Sequence, residues 1–251
     1  MDGPKSPKVR LFTDVRLDAG VMVTLGQAPT HYLTRVMRLA QGHHLRLFNG
    51  RDGEWIAEIL ALSRGTCDVR TVARERMQDR SIGPSLAFAP LKKDALDILV
   101  IKATELGVME LRPVFTQFSS VHRVNRERLR AQAIEAAEQC GRLSVPAIRE
   151  PRSMRSFLAA WPESRGLYVL NPDDGVAAHA AFASDAIGLA ASAEGTPCFL
   201  VGPEGGWSAS ELDALRALPF VRFVKLGPRT LRAETAAIAA VACWQALAGD
   251  W

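Results

Sequence analysis

The sequence has few cysteines, and none of them is placed for a metal site. The four cysteines, Cys67, Cys140, Cys198 and Cys243, are widely separated and form no CxxC pair. This spacing does not match the common zinc motifs and argues against a disulfide framework. We therefore expect reduced thiols, no bound metal and a cytoplasmic location.

Long apolar runs are also missing. No window of about 18 residues is apolar throughout, so we expect no transmembrane helix and no membrane partner. The opening residues MDGPKSPKVRLF lack the apolar segment of a secretory leader. With 48% hydrophobic and 23% charged residues, the chain has the composition of one or two globular domains.

The surplus of positive charge is confined to the first third of the chain. Residues 1–80 contain 13 Lys/Arg and 9 Asp/Glu, whereas residues 81–251 contain 18 of each. Most of the cations in the first third are arginines, whose guanidinium groups bind phosphate in a bidentate manner. An anionic polymer is therefore a plausible partner of this part, and a solvated basic face is the alternative interpretation.

Residues 1–76 read as a small β-barrel. Short apolar runs alternate around Asn49-Gly50 and Asp52-Gly53, which are dipeptides typical of hairpin turns. Between the runs, a helical pattern predicts a short helix that Thr30 caps and Gly42 ends. The polar segment 74–84 is the expected linker.

Residues 77–251 alternate apolar runs with helical stretches, which predicts a largely parallel sheet with helices on both faces. Asp94 is the expected N-cap of one helix and Gly107 its left-handed C-terminal residue. Ser208 and Glu211 form an S-x-x-E capping box at the start of another helix.

Two segments carry the chemistry that the residues themselves suggest. The first, GPEGGWS from Gly202, follows an apolar strand and opens a helix, so its glycines allow close approach of the backbone to a ligand. The second, KLGPRTLRAET from Lys225, also follows a strand, and ligands bind beyond such strand ends in parallel sheets. Arg229 and Arg232 are unfavourable near a helix N-terminus unless they face an anion or pair with an acid such as Glu234. The alternatives are a simple turn in the first segment and a surface ion pair in the second.

Several motifs together resemble one protein family. HYLTRVMRLAQGHHLRLFNG, KATELGV, EAAEQCGRLSVP, GPEGGWSASEL and LGPRTLRAETA occur in this order. They are similar to the bacterial ribosomal RNA small subunit methyltransferase E family over about residues 10–248. The resemblance implies a PUA-like β-barrel followed by a SPOUT methyltransferase domain with a trefoil knot. It also implies a homodimer that binds S-adenosylmethionine in the knot loops and methylates N3 of a uridine in 16S rRNA, either free or in the small ribosomal subunit.

The resemblance also assigns roles to individual residues of this chain. The implied cofactor-binding residues are Leu170, Asn171, Gly202, Pro203, Glu204, Gly205, Gly206, Leu226, Gly227, Leu231, Arg232 and Thr235. The expected catalytic residues are Arg232 and Arg229, which stabilise the developing imidate, and Glu204, with Glu204 or Glu234 as orienting group or proton shuttle. The expected RNA-binding residues are Arg10, Arg35, Arg38, Arg46, Arg51, His122, Arg123 and Arg126.

One segment departs from the family pattern. Many relatives have an arginine before the serine in the segment that reads Gln117-Phe118-Ser119-Ser120 here. Any RNA contact of that position is therefore not carried over to this chain.

Three other functions are also compatible with the sequence. One is another SPOUT reaction, namely 2′-O-methylation of ribose or modification of a tRNA base. The second is a non-catalytic RNA-binding assembly factor that retains the pocket. The third is a nucleotide-phosphate enzyme that uses GPEGG as an anion loop, although the Lys of a P-loop is missing.

Overall fold

The computed structural model describes residues 7–79, 82–189 and 196–251. The chain divides into two compact units. The first comprises Met1–Arg80 together with Ala137–Val145, and the second comprises Ser81–Ala136 together with Pro146–Trp251. Within the described residues, no helix has both the length and the apolar composition needed to cross a bilayer.

The first unit is built on a five-stranded sheet. Its elements are β1 (Arg10–Phe12), β2 (Met22–Leu25), α1 (Gln27–His31), a π-helical turn (Tyr32–Val36), β3 (His44–Phe48), β4 (Glu54–Ser63) and β5 (Thr66–Arg76). The sheet order is β1-β3-β4-β5-β2, with β1 parallel to β3 and the other pairs antiparallel. The expected hairpin is present between β3 and β4, where Gly50 and Gly53 adopt φ values of 82° and 84°.

The core of the first unit follows the two-residue period of its strands. Leu45 and Leu47 on β3, Ile59 on β4 and Val69 on β5 are fully buried, and Leu33 of the π-helical turn packs into the same cluster. The helical segment thus covers the apolar face of the sheet.

The predicted cap and end of this short helix are wrong. The helix begins after Gly26, and the Thr30 hydroxyl donates to the Gly26 carbonyl at 2.8 Å from inside the helix. Pro29 is tolerated because the first N–H groups of a helix have no intrahelical partner. The helical segment ends before Arg38, which adopts a left-handed φ of 54° ahead of Gly42.

Arg10 joins the segment 137–145 to the sheet of the first unit. Its guanidinium pairs with buried Glu54 at 2.5 Å and donates to the carbonyls of Ala137 and Glu138 at 2.8 and 3.0 Å. These carbonyls belong to the last turn of α3 (Arg126–Cys140), where helices leave acceptors unsatisfied and favour a cation. The side chain is only 8% exposed. Arg10 therefore caps the last turn of α3, and its expected RNA contact stays a prediction.

The described residues of the second unit form eight strands, all paired in parallel. The strands are β6 (Ser85–Phe88), β7 (Glu110–Phe115), β8 (Ala147–Ile148), β9 (Arg152–Ser153), β10 (Leu167–Leu170), β11 (Val176–Ala177), β12 (Cys198–Val201) and β13 (Val221–Lys225). The helices, besides α3, are α2 (Lys93–Glu105), α4 (Met154–Ala159), α5 (Ala178–Leu189), α6 (Ala209–Arg216) and α7 (Ala233–Ala248). The order is β11-β13-β10-β12-β6-β7-β8, and β9 also pairs with β7.

Helices cover both faces of this sheet, as the alternation of elements predicts. Every residue of β6, β10 and β12 is buried. Leu167 and Val169 pack with Phe157 of α4 and Leu215 of α6 on one face. Tyr168 lies on the opposite face, 5.0 Å from the ring of Phe182 on α5. The α/β class is thus confirmed.

In the second unit, the predicted cap and end residues of the helices agree with the structure except at Asp94. Lys92, rather than Asp94, is the N-cap of α2, and its side chain makes no capping bond. Asp94 lies within the first turn, where a carboxylate still interacts favourably with the helix dipole. Gly107 has φ 81°, and Ser208 and Glu211 form the expected capping box of α6.

The connection after β13 crosses back over the sheet. β13 lies beyond β10, yet α7, which follows β13 in the chain, packs on β12, α2 and α5. The trefoil knot itself stays a prediction.

Candidate active site

A cavity of about 350 Å³ opens at the carboxyl ends of three adjacent strands of the second unit. Leu170, Val201 and Lys225 end β10, β12 and β13 and line it. The loops that follow these three strands, called the first, second and third loops in that order, supply most of the wall. Its size is that of a small-molecule site, and its position at the strand ends is the one expected for an α/β sheet.

The structure brings the glycine-rich and arginine-rich segments together around this cavity. Ten of the twelve expected cofactor-binding residues line it, namely Leu170, Asn171, Gly202, Pro203, Glu204, Gly206, Leu226, Gly227, Leu231 and Arg232. Gly205 and Thr235 are not among the lining residues. Gly205 contacts Phe118 instead, and Thr235 is an exposed residue of α7. Arg229 is a further lining residue, so all three expected catalytic residues lie on the same cavity.

Sequence reasoning missed eight lining residues. They are Pro172, Val201, Trp207, Val224, Lys225, Thr230, Ala233 and Ala236. Val201, Val224 and Lys225 could have been predicted by including the last residues of β12 and β13 with the loops that follow them. Ala233 and Ala236 are three residues apart and share a face of α7.

Trp207 forms part of the wall because Gly202 has no side chain. A Cβ atom on Gly202 would lie 2.8 Å from Cε2 of the indole, closer than any real contact. The indole Nε1 donates to the Leu170 carbonyl at 3.5 Å. Trp207 also packs against the apolar cluster beneath the sheet. The second loop is thereby attached to the end of β10.

The first loop is held against β13. The Asn171 backbone N–H donates to the Val224 carbonyl at 3.0 Å, and the Asn171 side chain accepts from the Asp173 N–H at 3.1 Å. Gly175 adopts φ 118°, and a Cβ there would lie 2.4 Å from the carbonyl carbon of Phe223. Close backbone packing at Gly175 therefore fixes the loop between β10 and β11.

The arginines of the third loop are available for a ligand. Arg232 is the N-cap residue of α7, and both Arg229 and Arg232 are exposed. Neither guanidinium has an ion pair within the described part of the chain, so the alternative of a surface pair with Glu234 is not realised. Two cations beside the positive end of a helix favour a bound anion or a developing negative charge.

Some of the expected RNA-binding arginines have no ion pair among the described residues, whereas others already contact acceptors within the protein. In the first unit, Arg35 and Arg38 are exposed and have no ion pair among the described residues. Arg46 pairs with Glu75, and the 58% exposed Arg51 donates to the Asp14 carbonyl at 2.6 Å.

In the second unit, the expected RNA contacts also differ in availability. His122 and Arg123 are exposed on the loop that precedes α3. Arg126 pairs with Glu150 and donates to the Ile148 carbonyl at 2.9 Å. The guanidinium of Arg126 therefore already has acceptors within the unit.

A cluster of charges lies at the start of β7. Glu110, whose side chain is 16% exposed, accepts from Arg112 and Arg149 and from the Ser85 hydroxyl at 3.0 Å. Burial alone would raise the pKa of Glu110, but the hydrogen bonds from Arg149 and Arg112 lower it to about 2. The carboxylate therefore stays charged throughout the physiological range.

The comparison with known families identifies the class of protein. A family model described as an RNA methyltransferase domain matches residues 81–245, and one described as an RNA methyltransferase PUA domain matches residues 30–72. The fold and the cavity thus define an RNA methyltransferase with an N-terminal PUA-like domain.

Similar proteins narrow this class to a single family. The chain is 31% identical to the ribosomal RNA small subunit methyltransferase E of Rickettsia conorii, over 93% of both chains. It is also 31% identical to the protein of the same name from Synechocystis, over 90% of this chain and 73% of that protein. The chain belongs to the ribosomal RNA small subunit methyltransferase E family, which confirms the resemblance seen in the motifs.

Solved structures agree with this assignment. The Neisseria gonorrhoeae ribosomal RNA small subunit methyltransferase E bound to S-adenosyl methionine is 25% identical, with a TM-score of 0.83 over 97% of this chain and 99% of that one. A Legionella pneumophila methyltransferase in complex with the same cofactor is 27% identical, with a TM-score of 0.81 over 95% and 97% of the two chains.

Proposed function

We propose that this protein transfers a methyl group from S-adenosylmethionine to N3 of a uridine in 16S rRNA. One observation carries the proposal: the three loops of an RNA methyltransferase domain surround a cavity, and the two arginines at its wall have no ion pair among the described residues. The names and bound cofactor of the relatives supply the donor and the class of RNA.

The residues of the cavity suit this donor. Apolar side chains such as Leu170, Val201 and Leu226 offer a surface for a purine ring. Gly206 and Gly227 also line the cavity, and a Cβ on either would meet no atom within 4 Å. The positive φ values of 75° and 98° at these two glycines favour residues without a side chain. Backbone N–H and C=O groups can therefore approach a ligand closely.

The residues of the cavity have to make N3 of the uridine nucleophilic and to position it next to the methyl group. When bound, S-adenosylmethionine supplies an electrophilic methyl group on its sulfonium. The imide nitrogen of uridine becomes nucleophilic after it loses its proton, and the negative charge then spreads over the neighbouring carbonyl oxygens. Arg232 and Arg229 stabilise that charge, because a guanidinium is a cation that donates several hydrogen bonds and is a poor base.

We assign to Glu204 the role of accepting the proton that N3 of the uridine loses. It is the one carboxylate among the described lining residues, and it is exposed at the loop that follows β12. A carboxylate at this position accepts the N3 proton before the methyl group is transferred and passes it to solvent.

The PUA-like unit contributes to RNA binding. Arg35 and Arg38 carry unpaired positive charge on its surface, and His122 and Arg123 add exposed polar and basic groups on the second unit. Arg51 retains an exposed guanidinium as well. Contacts of this kind bind the phosphate backbone and depend on salt. Arg10, Arg46 and Arg126 are left out of this set because each pairs closely with a carboxylate and their side chains are less exposed than that of Arg51, at 8%, 23% and 42% against 58%.

The proposal includes a homodimer that acts in the cytoplasm on 16S rRNA or on the small subunit. Two apolar side chains near the C-terminus, Leu247 and Trp251, are 41% and 69% exposed and offer surface for a second copy. Sedimentation equilibrium of the purified protein tests the dimer, and a monomer at micromolar concentration would contradict it.

The reaction is tested with rRNA from cells that lack the protein. Free 16S rRNA and small subunits are incubated with the purified chain and S-adenosylmethionine, and the nucleosides are analysed by mass spectrometry. We expect 3-methyluridine at one position. A 2′-O-methylated nucleoside, or methylation of tRNA instead, would identify another reaction. Cofactor binding by calorimetry without transfer to any of these RNAs would identify a non-catalytic assembly factor.

A further inference from the structure

Phe118 is an exposed aromatic residue next to the cofactor loops. It lies in the loop between β7 and α3, in the segment where the sequence departs from its relatives, and it is 46% exposed. Within the described residues its ring has no aromatic or cationic partner. An aromatic ring with this exposed fraction is not part of the hydrophobic core.

The loop that carries Phe118 is fixed on both sides of the ring. The Thr116 N–H donates to the Ser119 hydroxyl at 2.9 Å, and the two side-chain hydroxyls are also 2.9 Å apart. The Gln117 N–H donates to Glu211 at 2.8 Å, and Glu211 belongs to the capping box of α6. The ring therefore has a defined position relative to the helix that follows the GPEGG segment.

Phe118 borders the second loop of the cavity. A Cβ on Gly205 would lie 3.1 Å from Cβ of Phe118, so the two residues are in van der Waals contact. The neighbours of Gly205 on both sides, Glu204 and Gly206, line the cavity. The open ring is thus separated from the cavity wall by a single residue without a side chain.

We propose that Phe118 is the surface on which the target pyrimidine stacks after it has left the RNA helix. The inference rests on the proposed function, since a base that is methylated at N3 has to be unpaired and turned out of its stack. A flipped base loses its stacking neighbours, and an aromatic ring replaces them irrespective of base identity. The position next to Glu204 places such a base beside the proposed proton acceptor.

Substitutions at Phe118 separate ring stacking from simple packing. Phe118→Ala is expected to lower kcat/KM for RNA by about 10- to 100-fold and to leave the Kd for S-adenosylmethionine unchanged. Phe118→Tyr keeps the ring and is expected to retain activity. Phe118→Leu keeps apolar volume without a π face and is expected to behave like Phe118→Ala. Ile98→Ala, which removes a 47% exposed side chain from α2, is the control and is expected to have no effect.

The outcomes distinguish this inference from the proposed function. Full activity of Phe118→Leu would overturn the stacking role, because apolar volume alone would then suffice. A loss of cofactor affinity in Phe118→Ala that matches its loss of activity would show that Phe118 only supports the Gly205 loop. An active wild type with an equally active Phe118→Ala would overturn the inference alone. A wild type that methylates no RNA would overturn both.

Discussion

Gly202 and Trp207 form one contact that shapes the cavity. The indole lies where a side chain on Gly202 would be, with Cε2 only 2.8 Å from the position of a Cβ atom, and its Nε1 reaches the carbonyl of Leu170. The tryptophan thus links the ends of β10 and β12, and its position depends on the absence of a single methyl group.

Gly202→Ala should displace Trp207 and weaken cofactor binding. The rigid indole cannot yield by rotating a flexible end, so we expect overpacking of about 1–3 kcal/mol. We also expect the Kd for S-adenosylmethionine to rise by at least about tenfold. Calorimetry and thermal unfolding measure the two effects. Gly166→Ala is the control, because a Cβ there meets nothing within 4 Å, and equal cofactor affinity in both variants would contradict the prediction.

The sequence predicted this cavity because the residues that indicate it lie close together in the sequence of each loop. Glycines directly after an apolar strand and before a helix indicate a ligand loop wherever the sheet places them, and parallel strands bring such loops to one edge. The helix boundary at Gly26 was missed because Pro29 looks like a turn residue, although the first turn of a helix accepts proline. The role of Arg10 depends on carbonyls at positions 137 and 138, and no pattern in the sequence links residues so far apart.

Arg232→Ala and Arg229→Ala should lose activity while the fold is kept. Both side chains are exposed and unpaired among the described residues, so their removal leaves no buried charge behind. A lost donor to a developing anion costs about 10²–10³ in kcat. Single-turnover transfer measures this loss, and thermal unfolding checks the fold. Arg155→Ala removes another exposed arginine of the same unit, and a comparable loss in that variant would assign the effect to general electrostatics.

The free energy of unfolding should depend on the charged carboxylate of Glu110 at neutral pH but not in acid. The pKa of Glu110 is about 2 in the folded protein, below its ordinary value of 4.5. Its stabilising contribution is therefore complete above pH 4.5 and disappears as the pH falls toward 2. We expect Glu110→Gln to cost about 2–3 kcal/mol at pH 7 and much less at pH 2.5, as urea unfolding can measure. Glu163→Gln, at an exposed position, should show no such pH-dependent difference, and a constant cost of Glu110→Gln at both pH values would refute the linkage.

Charge reversal at Arg35 and Arg38 should weaken RNA binding and its salt dependence. Each arginine that contacts a phosphate contributes about one unit to the slope of log K against log salt. The double variant is therefore expected to have a slope lower by about two, with cofactor affinity unchanged. Filter binding of 16S rRNA fragments over a salt series measures the slope. Arg64→Glu reverses an exposed charge at the turn between β4 and β5, and an equal change there would indicate a diffuse field instead of contacts.

Arg10→Ala should destabilise the first unit strongly. Among the described residues, the substitution leaves Glu54, 2% exposed, with the 3.5 Å ion pair to Arg76, and it removes two bonds from the last turn of α3. Loss of one partner of a buried ion pair costs about 3–5 kcal/mol. The combined variant Arg10→Met with Glu54→Gln removes both charges and should recover much of this loss. Unfolding in urea measures both variants. An Arg10→Ala protein of unchanged stability but weakened RNA affinity would instead restore the RNA contact that the sequence suggested for Arg10.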